Sequence, residues 1–230
     1  MTAGMLGRSG VSRFSFLVFD LDGTLIDGYA AIGEALSYAL GRLGLAAPSP
    51  GRVRSMVGHG LERLLEQAAG PERAAEGVRL FRERYPDVAV AGSKLMPGVP
   101  EVLESLARKG YAMSLASNKP ARFSRLILEA KGVARYFRSI EGPGPSIPAK
   151  PDPAMLERAM REARARPEET LAIGDMEVDA EFARAAGCAV VLIPEGSRSR
   201  QELEHVESDA LLDRVTELPA WLDARMRDHA

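Results

Sequence analysis

Apolar and polar positions along the chain follow two patterns. Short solid apolar runs read as buried strands, and longer stretches with apolar residues every three or four positions read as helices. The first run places Phe14, Phe16, Leu17, Val18 and Phe19 within FSFLVFDLDGTL. It is too short for an ordinary helix and rich in β-favouring side chains, so a buried strand is predicted. After Thr24 the pattern turns helical, with Ile32, Leu36, Leu40 and Leu43 on one stripe and Gly44 as a stop signal. Further helices are predicted at about 50–57, 60–69 and 71–85, and no strand is read between Leu25 and Ala112.

Alternation of strand and helix then resumes. Val99, Val102, Leu103 and Leu106 form a helical stripe closed by Lys109-Gly110, and a strand follows at 111–116. A helix at about 121–131, a short strand near 138–141 and a helical face of Leu156, Ala159, Met160 and Ala163 come next. Strands are predicted at 170–173 and 189–193, a weak one at 210–212, and a last helix at about 216–227, whose Trp221 is expected to pack. This predicts an α/β fold, a doubly wound and mainly parallel sheet of residues 14–26 and 95–230, interrupted by an all-helical block at 27–94. Linkers near 26–28 and 91–98, the second rich in glycine and small residues, are candidate hinges for a lid that excludes water.

Candidate chemistry gathers where apolar runs stop. Asp20 and Asp22 stand two apart at the end of the first strand, where open α/β sheets place their ligands. Two acids there repel each other and lose solvation unless a cation, or a proton shared with substrate, compensates them. A polar turn is the bland alternative. A second acid cluster, Gly174-Asp175-Met176-Glu177-Val178-Asp179, closes the strand at 170–173. Between them lie Ser117-Asn118-Lys119-Pro120 at another strand end and Lys150-Pro151-Asp152-Pro153, whose two prolines restrict the backbone beside Lys150.

Asp20-Leu21-Asp22-Gly23-Thr24 resembles the first motif, DxDG[TV], of the haloacid dehalogenase-like superfamily. The other three motifs follow in order, and the resemblance covers almost the whole chain. It implies a Rossmann-like core with a helical cap inserted after the first motif, as in the phosphoglycolate phosphatase-like branch. It also implies that Asp20 attacks phosphorus to form an aspartyl-phosphate and that Asp22 is the general acid and base. Dehalogenases and phosphonate-cleaving members carry another residue at the Asp22 position, so an aspartate favours phosphate esters. Ser117 and Asn118, with Thr24 of the first motif, would bind substrate, and Lys150 would offset the charge of Asp20 and the phosphoryl group. Mg2+ would be held by Asp20, the Asp22 main-chain carbonyl and Asp175, with Asp179 orienting a ligand water or holding Lys150.

Within the helical block, Val57-Gly58-His59-Gly60 reads either as a plain turn or as a loop whose amides take an anion. Relatives often have a glycine pair here in a substrate-contacting loop, which makes His59 a substrate-binding candidate. Arg52, Arg54 and Arg63 lie nearby, and no single one stands out. Relatives usually have an Asp or Arg in the loop that is here Gly142 to Ala149, with its three prolines, so a specificity contact there would differ.

Composition narrows the classes. Lys+Arg 30 against Asp+Glu 32 leaves a net charge of -2 with no basic tract, so nothing points to nucleic acid. Cys188 is the sole cysteine, which excludes an intramolecular disulfide and a cysteine metal cluster. No stretch has the length of a membrane span, and residues 1–13 lack the apolar middle of a signal peptide, so a cytoplasmic protein with a loose amino-terminal tail is expected. Whether it is a monomer or a homodimer is left open. The reading is therefore a magnesium-dependent phosphatase acting on a small phosphorylated metabolite, with 2-phosphoglycolate first. The alternatives are another small-molecule phosphatase or a pyrophosphatase, and, from another class, a catalytically silent protein that binds a phosphorylated ligand.

Overall fold

The computed structural model describes residues 14–227; the expected amino-terminal tail lies outside the described residues. In chain order, β1 (Phe16–Phe19) and β2 (Ile26–Asp27) precede four helices, α1 (Tyr29–Arg42), α2 (Pro50–Met56), α3 (Leu61–Ala69) and α4 (Pro71–Val88). Then come β3 (Lys94–Leu95), α5 (Val99–Arg108), β4 (Ala112–Ala116), α6 (Ala121–Ala130) and β5 (Ile140–Glu141). The chain closes with α7 (Ala154–Ala163), β6 (Thr170–Gly174), α8 (Glu177–Ala185), β7 (Ala189–Leu192), α9 (Arg200–Leu203), β8 (Ala210–Leu211) and α10 (Leu218–Arg227).

Six strands form one parallel sheet in the order β5-β4-β1-β6-β7-β8. Side chains alternate across a strand, and β1 feeds two cores accordingly. Leu17 and Phe19 join the larger apolar cluster with α1, α4 and α5, while Phe16 and Val18 join the one built with α7 and α8. Burying a large apolar side chain stabilises by about 1.5–3 kcal/mol, so four consecutive buried residues lock β1 in the sheet's middle. From β1 the chain reaches β4 on one side and β6 on the other, which makes a switch point at the carboxyl end of β1. Trp221 packs as expected, stacked on Phe14 with ring centroids 6.3 Å apart.

Three local readings need correction. The stretch read as strand-free contains β2 and β3, an antiparallel ribbon pairing Ile26 with Leu95 and Asp27 with Lys94. Both ends of an inserted segment must return to one place, and two-residue strands are too short to show a period. Helix α4 runs past Tyr85 through Pro86 to Val88. Proline lacks its own N–H, but the turn continues through Ala89 N donating to the Tyr85 carbonyl at 2.9 Å, and Val88 and Ala89 are buried. Helix α9 was not expected, although Ser199 and Glu202 form a capping box at its start.

Candidate active site

The carboxyl ends of β1, β4 and β6 open into one cleft, whose empty space, solvent-open mouth included, is about 780 Å³. Asp20 and Asp22 follow β1, Ser117 and its neighbours follow β4, and Asp175 follows β6. Lys150 enters from the loop before α7, and Asp179 from the first turn of α8. Helices α1, α3 and α4 cover the other side with Ile32, Leu61, Leu64 and Phe81, and α6 adds Phe123. The floor is therefore charged and the roof mainly apolar, with Arg82 and Tyr85 of α4 as its polar members.

Lys150 ties the floor together. Its Nζ donates to Asp20 Oδ1 at 2.9 Å and to Asp179 Oδ1 at 2.7 Å, and it sits 5.0 Å from the centroid of the Phe182 ring. Asp179 Oδ2 accepts from the main-chain N–H groups of Asp175 (3.2 Å) and Met176 (3.1 Å). Asp175 Oδ2 accepts from Ser197 N at 2.7 Å. The Asn118 side chain fastens three loops, accepting from Lys150 N at 2.7 Å and donating to the Gly58 carbonyl at 2.9 Å. Ser117 is buried at the cleft wall, with its Oγ accepting from Lys119 N at 3.4 Å.

Two expected substrate ligands are not at the wall. Thr24 is fully buried, its hydroxyl has no partner among the described residues, and it does not face the cleft. Its β1-to-β2 turn folds back on itself, with Leu25 N and Ile26 N donating to the Leu21 carbonyl, which turns residue 24 inward. His59 also stands off. Gly58 and Gly60 line the cleft, but the His59 side chain faces outward, its Nε2 3.8 Å from Glu177 Oε1. Of the nearby arginines, Arg63 pairs with Glu66 on its own helix. Arg54 instead reaches the Gly196 carbonyl at 3.0 Å and lies 4.3 Å from the Tyr29 ring centroid. The proline-rich loop at 142–149 contributes nothing to the cleft wall.

Lys119 was passed over as part of a polar turn, yet it is buried in the cleft. Its Nζ lies 2.7 Å from Asp22 Oδ2 and donates to the Tyr85 hydroxyl at 2.6 Å. Burial alone would push this ammonium down, but Asp22 and Tyr85 together raise it; Lys150 is likewise raised by Asp179 and Asp20. Both lysines are therefore charged.

The carboxylates are crowded. Burial pushes Asp20 up to about 7 against the pull of Lys150, with repulsion from Asp179 and Asp22 adding to it. Burial also raises Asp175 well above the usual carboxylate range, with Asp179 and Asp20 adding to the rise. When ionised, the four cleft carboxylates, Asp20, Asp22, Asp175 and Asp179, outnumber the two buried ammoniums, Lys119 and Lys150, and the third cation of the lining, Arg82, is taken by Glu62 at 2.8 Å. A divalent cation fits that balance, and the donors are hard oxygens suited to magnesium. The backbone also closes on Asp175: a Cβ on Gly23 would come 2.4 Å from its Oδ2, and one on Gly196 1.9 Å. No group of three acid, histidine or cysteine side chains suited to a metal occurs among the described residues. The expected set, two carboxylates and a main-chain carbonyl, is not a group of that kind.

This fold and floor define a class. The family described as haloacid dehalogenase-like hydrolase matches residues 17–193, more than half of the chain. The phosphoglycolate phosphatase of Pectobacterium atrosepticum is 35% identical over 209 residues, covering 88% of this chain and 89% of that one. That of Vibrio parahaemolyticus is 33% identical over 213 residues, covering 88% and 93%. A solved structure of a predicted phosphoglycolate phosphatase from Haemophilus somnus superposes with a TM-score of 0.83 at 26% identity, covering 92% and 99%. The chain belongs to the haloacid dehalogenase-like hydrolases. Within them it is an enzyme of the phosphoric monoester hydrolase class, acting on a small phosphorylated substrate. No helix among the described residues is long and apolar enough to cross a membrane.

Proposed function

We propose that the protein hydrolyses 2-phosphoglycolate through an aspartyl-phosphate on Asp20, with Mg2+ bound at the cleft floor. The observation that carries the reading is the convergence of the buried Asp20, Asp175 and Lys150 and the part-buried Asp22 on one cleft floor at the sheet's switch point. Relatives named phosphoglycolate phosphatases at 31–35% identity support the substrate.

Asp20, pinned through Oδ1 by Lys150, presents its other oxygen to phosphorus. As the new P–O bond forms, the P–O bond to the alcohol breaks, and the leaving oxygen takes a proton from Asp22. Water then attacks phosphorus, gives its proton back to Asp22, and expels the Asp20 carboxylate with inorganic phosphate as product. Ser117, the Asn118 main-chain amide and Lys150 hold the phosphoryl oxygens throughout. Asp20, the Asp22 main-chain carbonyl and Asp175 would hold Mg2+, which would neutralise charge on the transferring group. Asp179 holds Lys150 and caps the start of α8. Residues 14–26 and 95–230 act as the catalytic core and 27–94 as a cap that shuts water out, hinged at the β2–β3 ribbon.

The apolar roof favours a second reading, in which the leaving group is larger and less polar than glycolate. One assay separates the two: phosphate release from a panel of phosphate esters and pyrophosphate, with magnesium and with chelator. The first reading expects 2-phosphoglycolate to lead the panel and all release to stop with chelator. A higher kcat/KM for a bulkier ester moves the substrate, and no release from any compound favours a silent binder.

A further inference from the structure

We infer that Lys119 is the positioning residue for Asp22, and that Tyr85, from α4 of the inserted helices, completes the arrangement only when those helices are docked on the sheet. The inference rests on the reading of Asp22 as general acid. Of the two Asp22 oxygens, Oδ2 is 2.7 Å from Lys119 Nζ, while Oδ1 is buried without a partner among the described residues. That free oxygen lies where a Cβ on Gly28 would come within 2.2 Å, so residue 28 leaves it room. One oxygen is anchored by the lysine, and the other is left without a competing protein partner.

The anchor is itself held from across the cleft. Lys119 Nζ donates to Tyr85 Oη at 2.6 Å and lies 4.9 Å from the Tyr85 ring centroid. The ring stacks on Phe81 with centroids 5.1 Å apart and meets Phe123 edge-on at 5.0 Å. Tyr85 therefore moves with α4. If α4 lifts away, Lys119 loses one of its two partners, and Asp22 rests on a flexible four-carbon stem alone. A proton donor must sit within hydrogen-bond reach of the leaving oxygen, so a slackened Asp22 protonates it poorly. Docking of the inserted helices thus assembles the acid as well as closing the cleft.

A lysine here has two other uses: holding the fold together, or binding a substrate carboxylate. Leaving-group dependence separates all three. The full chain is compared as parent, Lys119→Met, Tyr85→Phe and Asp22→Asn, by kcat/KM, which reports the first phosphoryl transfer. The substrates are 2-phosphoglycolate, ethyl phosphate, which lacks the carboxylate, and p-nitrophenyl phosphate, whose leaving group needs no proton. Asp22→Asn sets the scale and is expected to lower the two alkyl esters about 10²–10⁴-fold and the nitrophenyl ester far less. Lys119→Met is expected to lower both alkyl esters by about tenfold or more and the nitrophenyl ester by less than about threefold, because only the alkyl leaving groups need the acid. Tyr85→Phe, which keeps the ring, gives the same pattern at smaller size.

Equal loss across the three substrates overturns the inference in favour of a structural role. Loss confined to 2-phosphoglycolate overturns it in favour of carboxylate binding. If Lys119→Met does not fold, the Tyr85→Phe profile decides alone, and a flat one overturns the inference. A flat Asp22→Asn profile removes the reading of Asp22 and the inference with it, whereas a sloped Asp22 profile beside flat Lys119 and Tyr85 profiles removes the inference only.

Discussion

Asp179→Asn is the sharpest probe of the charged floor. Asp179 uses both oxygens as acceptors: Oδ1 from Lys150 Nζ at 2.7 Å, and Oδ2 from the N–H groups of Asp175 and Met176 at 3.2 and 3.1 Å. No orientation of an asparagine amide serves both sides. With the amide oxygen toward α8, its NH2 faces the Lys150 ammonium. With the oxygen toward Lys150, the NH2 faces two main-chain donors. Each orientation leaves a buried donor unsatisfied, at roughly 1–3 kcal/mol, and one of them also breaks a charged hydrogen bond contributing about 1.5–3 kcal/mol. Relief of repulsion on Asp20 and Asp175 opposes this, since Asp179 raises both carboxyls. The net expectation is a loss of about 2 kcal/mol, or a melting temperature lower by about 4–8 °C for a chain of this size. Urea unfolding of the metal-free protein, followed by far-UV circular dichroism, reads the midpoint and slope together. A midpoint equal to or above the parent's at unchanged slope refutes the argument, because electrostatic relief would then outweigh the mismatched hydrogen bonds.

Three further outcomes follow from the same geometry. Gly196→Ala would set a Cβ 1.9 Å from Asp175 Oδ2 and 2.6 Å from Gly23 Cα, so the carboxylate must swing away. The magnesium concentration giving half-maximal phosphate release should rise by about tenfold or more, and an unchanged magnesium titration would show that Asp175 is not a ligand. Asp20→Asn should abolish release of phosphate, and turnover within about tenfold of the parent would sink the covalent scheme, since the nucleophile's oxygen would be dispensable. Cys188 is buried, and burial pushes its thiol up to about 12. Because the thiolate is the reactive form, the folded protein should resist a maleimide at neutral pH and react only in denaturant; rapid labelling of the native protein would contradict the burial.

The parts of this molecule that a reader of the sequence can find are those whose meaning is local. Asp20 and Asp22 were legible because an apolar run stops at them, and Asp175 and Asp179 because a second run stops there. Their convergence required the parallel register in which Phe16 faces Ala112 on one side and Thr170 on the other. Lys119 shows the limit of local reading. In Ser-Asn-Lys-Pro a lysine is by default a solvated turn residue, and only Tyr85, 34 positions earlier on another helix, together with Asp22, makes it a buried cation. His59 shows the converse: its flanking glycines, which read equally as a plain turn, line the cleft, but which way a side chain points from such a loop is decided by the fold around it. Thr24 belongs to the motif yet turns inward, because the bonds of its turn, not its place in the motif, orient it. The inserted helices matter for the same reason. They bring no acid to the cleft wall, and their sequence reads as ordinary amphipathic helix, yet Tyr85 from α4 and the Gly58 carbonyl hold Lys119 and Asn118 in place. The chemistry lies in the sheet, and the tolerance with which it is held lies in what packs over it.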